Sequence, residues 1–306
     1  MRKIFRVVGV FIVGVFFVLT FYWLDISVLY TRIVGLLQHP FWIFVMFLLY
    51  GMAFFLRAIA WKWYLCKEVP VSRYLDALWY SLLINHLLPF KVGDAVRVGL
   101  IAREDTVTWD EAIHSVVVMR LLDLSILITF ASTGMMFVFQ TITFHRSIWI
   151  GLAAIVLSIS LLLILKRKYT VFIEKHLLMI KQAVAGKRGI LIILTVLLSW
   201  VLEGVVIFGV SQLFVPALTV PEAVWANSLT VGGQVFQITP GGIATYESLM
   251  SFALVGLQYS WQKAYNVALI SHAFKFLFSF LVGGYVLLKS PLEWKQVQKW
   301  IAKKGE

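Results

Sequence analysis

The sequence predicts an all-α polytopic membrane protein with about six full transmembrane helices and two opposed re-entrant helical hairpins, in an inverted-repeat-like order. Three observations predict it. Of 306 residues, 61% are hydrophobic and only 14% charged, whereas about a quarter of a soluble globular chain is charged. Apolar runs of roughly 20 residues, long enough to cross hydrocarbon as helices, recur along the chain. Two further apolar segments are each cut in half by proline and glycine. No polar stretch is long enough for a separate soluble domain. Residues 1–290 therefore read as one integral membrane domain, followed by a basic amphipathic tail over 291–306.

The spans follow in order. The chain opens MRKIFR and runs apolar to Tyr22. This run exceeds a signal-peptide core, and the aromatic stretch FYW follows it instead of a small-residue cleavage site, so it reads as a retained helix over 5–24. Further spans are expected at 41–63, 114–139, 147–165, 190–214 and 263–288. Basic residues collect in alternate loops. They are Arg2, Lys3 and Arg6; Lys62, Lys67 and Arg73; Lys166, Arg167, Lys168, Lys175, Lys181, Lys187 and Arg188; and Lys289, Lys295, Lys299, Lys303 and Lys304. The opposite loops hold only Arg32, Arg146 and Lys263. This asymmetry predicts a multi-pass protein with both termini in the cytoplasm. Val171–Met179 and Trp294–Lys304 mix apolar residues with lysine and read as segments lying in the membrane interface.

The net charge of +12 is accounted for by loops facing anionic lipid, and no nucleic-acid partner is expected. A single cysteine, Cys66, excludes an intramolecular disulfide and a cysteine metal site. His39, His86, His114, His145, His176 and His272 make no zinc-hydrolase helix. No metal and no cofactor are expected. An acyltransferase HxxxxD box starting at His86 would need an acid where Lys91 stands, and no nucleophile motif or phosphate loop occurs, so no enzyme is expected.

Two segments remain, 75–110 and 222–258. Each holds two apolar runs of roughly 13 to 17 residues around a breaker: PFKVGDAVR (Pro89–Arg97) in the first, TPGG (Thr239–Gly242) in the second. Half-length helices around a break suit re-entrant hairpins, one entering from each side; two tilted spans or a surface loop is the alternative.

Charge lies at these breaks and inside the spans, where each group costs at least about 2.5 kcal/mol unless it pairs or binds something. Asp94 and Arg97 are three residues apart on a helix expected to start after Gly93, with Lys91 one turn before it. Pro89 and Gly93 let the backbone turn, and free N–H groups beside two cations would suit a phosphate. A solvated basic loop explains the stretch equally well. Arg120 and Asp123 form a second i,i+3 pair, which could be structural only. Glu203 lies mid-span, and His272 and Lys275 are three apart in the last span; Glu203 and Lys275 could neutralise each other across the bundle. In TPGGIATYE, Thr239 is placed to cap a helix with Pro240 at its first position, Gly241 and Gly242 allow close approach, and Glu247 follows one to two turns on. An ordinary turn with a solvated glutamate would look the same.

HLLPFKVGDAVRVGLIAR, MRLLDL and TPGGIATYE, in this order and spacing, resemble the family containing the flippase half of lysylphosphatidylglycerol synthetases, over about residues 5–290. On that resemblance the family's motif positions are Pro89, Lys91, Gly93, Asp94 and Arg97; Arg120 and Asp123; and Thr239, Pro240, Gly241, Gly242 and Glu247. Lys91 stands where arginine is common, Ala244 where a third glycine is frequent, and the last span offers His272 and Lys275 where the family often has arginine. The synthetases' aminoacyl-transfer domain has no counterpart in this sequence. The resemblance therefore implies lipid movement or binding and gives no support for lipid aminoacylation by this chain. It also points to a prokaryotic plasma membrane.

The leading expectation is a translocator for an amphiphile with a charged headgroup: a phospholipid, a glycolipid or a polyprenyl-phosphate sugar. Lys91, Arg97 and Arg120 would attract a phosphate; Asp94, Asp123 and Glu247 would hold those cations or carry coupling protons. The partners expected are membrane lipids, anionic or phosphate-containing. The alternative is a non-catalytic accessory subunit of a membrane glycosyltransferase or lipid synthase, which would supply a membrane enzyme partner. A homo-oligomer is compatible with either.

Overall fold

A computed structural model describes residues 14, 26–89, 91–138, 174, 178–181, 185–214, 218–236 and 239–291. Among them every regular element is helical: α1 (Ile26–Leu37), α2 (Pro40–Leu65), α3 (Val71–Leu87), α4 (Gly93–Ile101), α5 (Trp109–Val138), α6 (Lys187–Ser211), α7 (Val220–Gly233), α8 (Thr245–Gly256) and α9 (Trp261–Lys289). The expected spans 5–24 and 147–165, the interfacial stretch Trp294–Lys304 and most of Val171–Met179 lie outside the described residues.

Four helices, α2, α5, α6 and α9, are long and apolar enough to cross a membrane, and they coincide with four of the expected spans. Their outer faces carry Phe44, Leu48, Leu121, Ile128, Leu194 and Leu281, large apolar side chains that stand exposed. So broad an apolar surface is unfavourable in water and suits a lipid-facing belt. On the exposed face of α5, the hydroxyls of Ser125, Thr129 and Thr133 each donate to the carbonyl four residues earlier, so these three need no water. α1 falls in a stretch read from sequence as a loop; Arg32 on it lies 5.6 Å from the centre of the Phe214 ring, beyond the end of α6.

The two interrupted segments form helical pairs, α3–α4 and α7–α8, each broken at the expected place. Pro89 lies in the first break, and Lys91 turns it with a left-handed φ of 48°. Gly93 is obligatory in the first pair: a Cβ there would run into the Ser81 carbonyl and the Asn85 amide, so glycine lets α4 lie directly on α3. The second break differs from its expected form. Pro240 opens a short 3-10 turn, Pro240–Gly242, and α8 starts only at Thr245. Thr239 makes no side-chain cap; its hydroxyl donates to the Ile243 carbonyl at 2.8 Å. Glu247 consequently sits in the first turn of α8, not further along it.

Each pair leaves one end of the bundle and returns to it. At one end Arg73 before α3's first turn closes faces Glu104 beyond α4 at 3.4 Å, Lys67 pairs with Glu111 of α5 at 2.9 Å, and Lys289 of α9 pairs with Asp76 at 2.8 Å. Arg188 of α6 donates to the Cys66 sulfur at 2.8 Å. Lys67, Arg73, Arg188 and Lys289, from three of the basic groups read from sequence, are therefore brought to one end. At the other end Phe252 of α8 meets Trp261 of α9, with ring centres 5.5 Å apart.

The order span, helical pair, span thus occurs twice with opposite direction: α2, α3–α4, α5, then α6, α7–α8, α9. The packing respects it. The corresponding spans α2 and α6 pack on each other; α3 packs on α9 as α7 packs on α5. Leu83 of α3 sits against Gly283 of α9, and Trp225 of α7 against Gly134 of α5.

Candidate functional site

The two breaks meet midway along the spans, around an interior cavity of about 120 Å³. Lys91, Arg97 and Arg120 line it from the first half; Gly241, Tyr246, His272 and Lys275 line it from the second; Arg57, Trp200 and Glu203 come from the central pair α2 and α6. Five cations border it. Four carboxylates, Asp94, Asp123, Glu203 and Glu247, hold them or their neighbours. An interior this charged within an apolar bundle is stable only through such pairing.

The pairs run mainly between helices. Glu203 takes Arg57 at 2.7 Å with one oxygen and Lys275 at 2.9 Å with the other. The sequence suggested the second contact but missed Arg57, whose guanidinium also donates to Ser199 and lies over the Trp200 ring, 3.8 Å from its centre. Arg57 stood in plain view as a lone cation in FFLRAIAW, the same signal that singled out Glu203. Asn227 of α7 was also missed; it accepts from Lys275 at 2.8 Å.

Asp94 and Arg97 are not each other's main partners. Asp94 accepts three hydrogen bonds from Arg120 of α5, at 2.7, 3.0 and 3.1 Å, while Arg97 stays 3.8 Å away. Arg120 and Asp123 are likewise 3.9 Å apart, and Asp123 accepts from the Trp200 indole at 3.0 Å. An i,i+3 pair on one helix can approach, but a guanidinium arriving from a neighbouring helix can meet a carboxylate fork-on.

The α4 N-terminus is not the open anion site that the sequence suggested. Gly93 N–H donates to the Asn85 side chain at 2.8 Å, Asp94 N–H to Lys91 O and Ala95 N–H to Val92 O. The anion-seeking groups are side chains instead. Arg97 is only 8% exposed, and its Nε has no hydrogen-bond partner among the described residues. Arg97 lines the cavity beside Lys91 and Arg120, and a buried guanidinium in such a place suits an anionic ligand.

On the other side Glu247 bridges two elements. One oxygen accepts from the Ala244 N–H at 2.8 Å; the other contacts His272 Nδ1 at 2.7 Å. His272 Nε2 faces the Gly241 carbonyl oxygen at 3.0 Å, and the Tyr246 ring stacks on the imidazole. Gly241 and Gly242 both adopt positive φ, and the room they leave is filled by Phe276 and by the Gln234 amide. Among the described residues no cluster of three or more His, Cys, Asp or Glu could hold a metal ion.

The model of the family described as the lysylphosphatidylglycerol synthase TM region matches residues 6–283, nearly the whole chain. No curated protein and no solved structure matches it.

Proposed function

The chain belongs to the lysylphosphatidylglycerol synthase transmembrane-region family, and from that premise we propose that it moves an amphiphile with an anionic, phosphate-containing headgroup between the leaflets of a prokaryotic cell membrane. The observation that carries the reading is Arg97, buried beside the cavity with Nε unsatisfied, next to Lys91 at the first break. A headgroup phosphate entering the cavity would meet the cationic side chains of Arg97 and Lys91 that line it, and the acyl chains would stay in lipid.

The paired charges serve this task by their stiffness. Asp94 and Arg120 fix the start of α4, and Glu203 fixes Arg57 and Lys275. Arg97 and Lys91 are left to receive the ligand without reorganising the cavity. Movement then needs each helical pair to tilt away in turn, exposing the cavity to one end and then the other, as in transporters built from broken helices. With the basic end in the cytoplasm, the first break opens inward and the second outward. The protein acts as a carrier, and no covalent step on the lipid is proposed.

The experiment is leaflet exchange in liposomes that contain only the purified protein. Phosphatidylglycerol and a neutral glycolipid are compared. Exchange of phosphatidylglycerol well above that of protein-free liposomes, and above that of the neutral glycolipid, supports the reading. Exchange of neither, with or without an ion gradient, moves the case to an accessory subunit and calls for co-purification of an enzyme partner.

A further inference from the structure

The two halves carry an acid–base pair at corresponding places, and the pairs differ in one chemical respect. Arg120 and Asp123 stand eleven and fourteen residues beyond the first residue of α5; His272 and Lys275 stand the same distances beyond the first residue of α9. Arg120 and His272 each meet a carboxylate in the first turn of the helix after their half's break, Asp94 in α4 and Glu247 in α8. A guanidinium keeps its proton at any working pH, whereas an imidazole gains and loses one in the physiological range. One half of the repeat has a permanent latch and the other a titratable one.

Both contacts of the second latch can be hydrogen bonds at once only if the pair carries an extra proton. A carbonyl oxygen can only accept, so His272 Nε2, at 3.0 Å from Gly241 O, carries a hydrogen. His272 Nδ1 and Glu247 Oε1 are 2.7 Å apart, too close for two facing lone pairs, so a further proton lies between them. With both bonds made, the pair holds one proton more than a neutral imidazole beside a carboxylate. When that proton leaves, the carboxylate faces a ring lone pair. If the ring then moves its remaining hydrogen to Nδ1, the lone pair faces Gly241 O instead. Either way one of the two bonds from α9 to the turn and α8 is lost.

Several charged or titratable groups surround the pair. Tyr246 of α8 stacks on His272 with ring centres 4.1 Å apart, and the His86 ring of α3 is 6.4 Å away. Lys275, one turn along α9, is held by Glu203 of α6 and lies 5.8 Å from the Tyr50 ring of α2. Lys91, at the turn between α3 and α4, borders the same cavity.

We infer that Glu247 and His272 form a proton-binding site whose occupancy latches the second break against α9, and that the proton is the ion coupled to lipid movement. The coupling rests on the translocation reading; the proton site stands without it. Proton loss loosens the turn at Gly241, which borders the cavity, so the cavity opens on the α7–α8 side when the site is empty and closes when it is filled.

The test uses the whole protein in lipid nanodiscs, with amide hydrogen exchange read over residues 239–247 from about pH 5 to pH 8. After correction for the intrinsic chemistry, protection in the wild type falls in one step as pH rises. Glu247→Gln can donate its amide to His272 Nδ1 and accept from Ala244, imitating the filled site, so its protection stays high throughout. His272→Phe removes both bonds and stays low. The same proteins in liposomes carry tagged phosphatidylglycerol: an imposed pH gradient changes the wild-type exchange rate several-fold and leaves each variant at its own gradient-free rate. A wild type without the step, or a step that persists in Glu247→Gln, overturns the proton site. A step together with exchange indifferent to the gradient overturns the coupling and leaves translocation standing. Absence of all exchange strikes the translocation reading and the coupling with it, while the protection profile still decides the proton site.

Discussion

The guanidinium of Arg57 and the carboxylate of Glu203 meet at 2.7 Å where α2 and α6, the corresponding spans of the two halves, pack on each other. Lys275 takes the other oxygen of the same carboxylate at 2.9 Å. One buried acid therefore holds two cations from two helices at the centre of the bundle, and the cluster keeps a net positive charge.

Glu203→Gln leaves Arg57 and Lys275 facing each other with no counter-charge. Removing one member of a buried ion pair destabilises by about 3–5 kcal/mol. Thermal unfolding in detergent should show a large drop in melting temperature, and an unchanged melt would contradict the central role given to this carboxylate.

Asp94 should be coupled to Arg120 and only weakly to Arg97. Double-mutant cycles on unfolding free energy, with Asp94→Asn against Arg120→Gln and Arg97→Gln, should give a coupling above about 1 kcal/mol for the first pair and well below it for the second. Arg120→Lys should itself cost about 1.5–3 kcal/mol, because a lysine cannot reproduce the forked contact. Equal couplings would mean that the i,i+3 pair matters as much as the cross-helix one.

Ala244 has φ 73° and ψ −42°, a backbone conformation that glycine adopts and alanine resists. Ala244→Gly relieves that strain and, after the greater freedom of glycine in the unfolded chain is set against it, should stabilise by about 1 kcal/mol. Thermal melts would register this as a rise; a fall would show that the alanine side chain is needed for packing.

Gly93→Ala places a methyl group against the Ser81 carbonyl and the Asn85 amide. Prising α4 off α3 should cost about 1–3 kcal/mol. It would also move Asp94 relative to Arg120, so lipid exchange should fall further than stability alone explains. Exchange that survives intact would separate the first break from the transport path.

Four of the expected spans and both breaks were legible in the sequence because they depend on local chemistry: long apolar runs, and proline and glycine at Pro89–Gly93 and Pro240–Gly242. The pairing of Glu203 with Lys275 was legible as two opposite lone charges in different spans. Other parts were not. Sequence spacing favoured Asp94 with Arg97 and Arg120 with Asp123, since it sees only neighbours on one helix; the α4–α5 contact that brings Arg120 to Asp94 is tertiary. The start of α8 slipped five residues because a 3-10 turn with two positive-φ glycines uses the same Thr-Pro signal as a helix cap. Arg57 was passed over although its isolation in an apolar run carried the same information as that of Glu203.

The central claim is that the cavity between the two breaks carries an anionic headgroup on Arg97, and the most direct test is the phosphatidylglycerol exchange rate of wild type against Arg97→Gln in liposomes. Arg97 makes no hydrogen bond through Nε among the described residues and approaches Asp94 only to 3.8 Å, so the substitution should leave the melting temperature close to wild type. The account predicts exchange reduced at least tenfold in a folded variant. Exchange at the wild-type rate would contradict it.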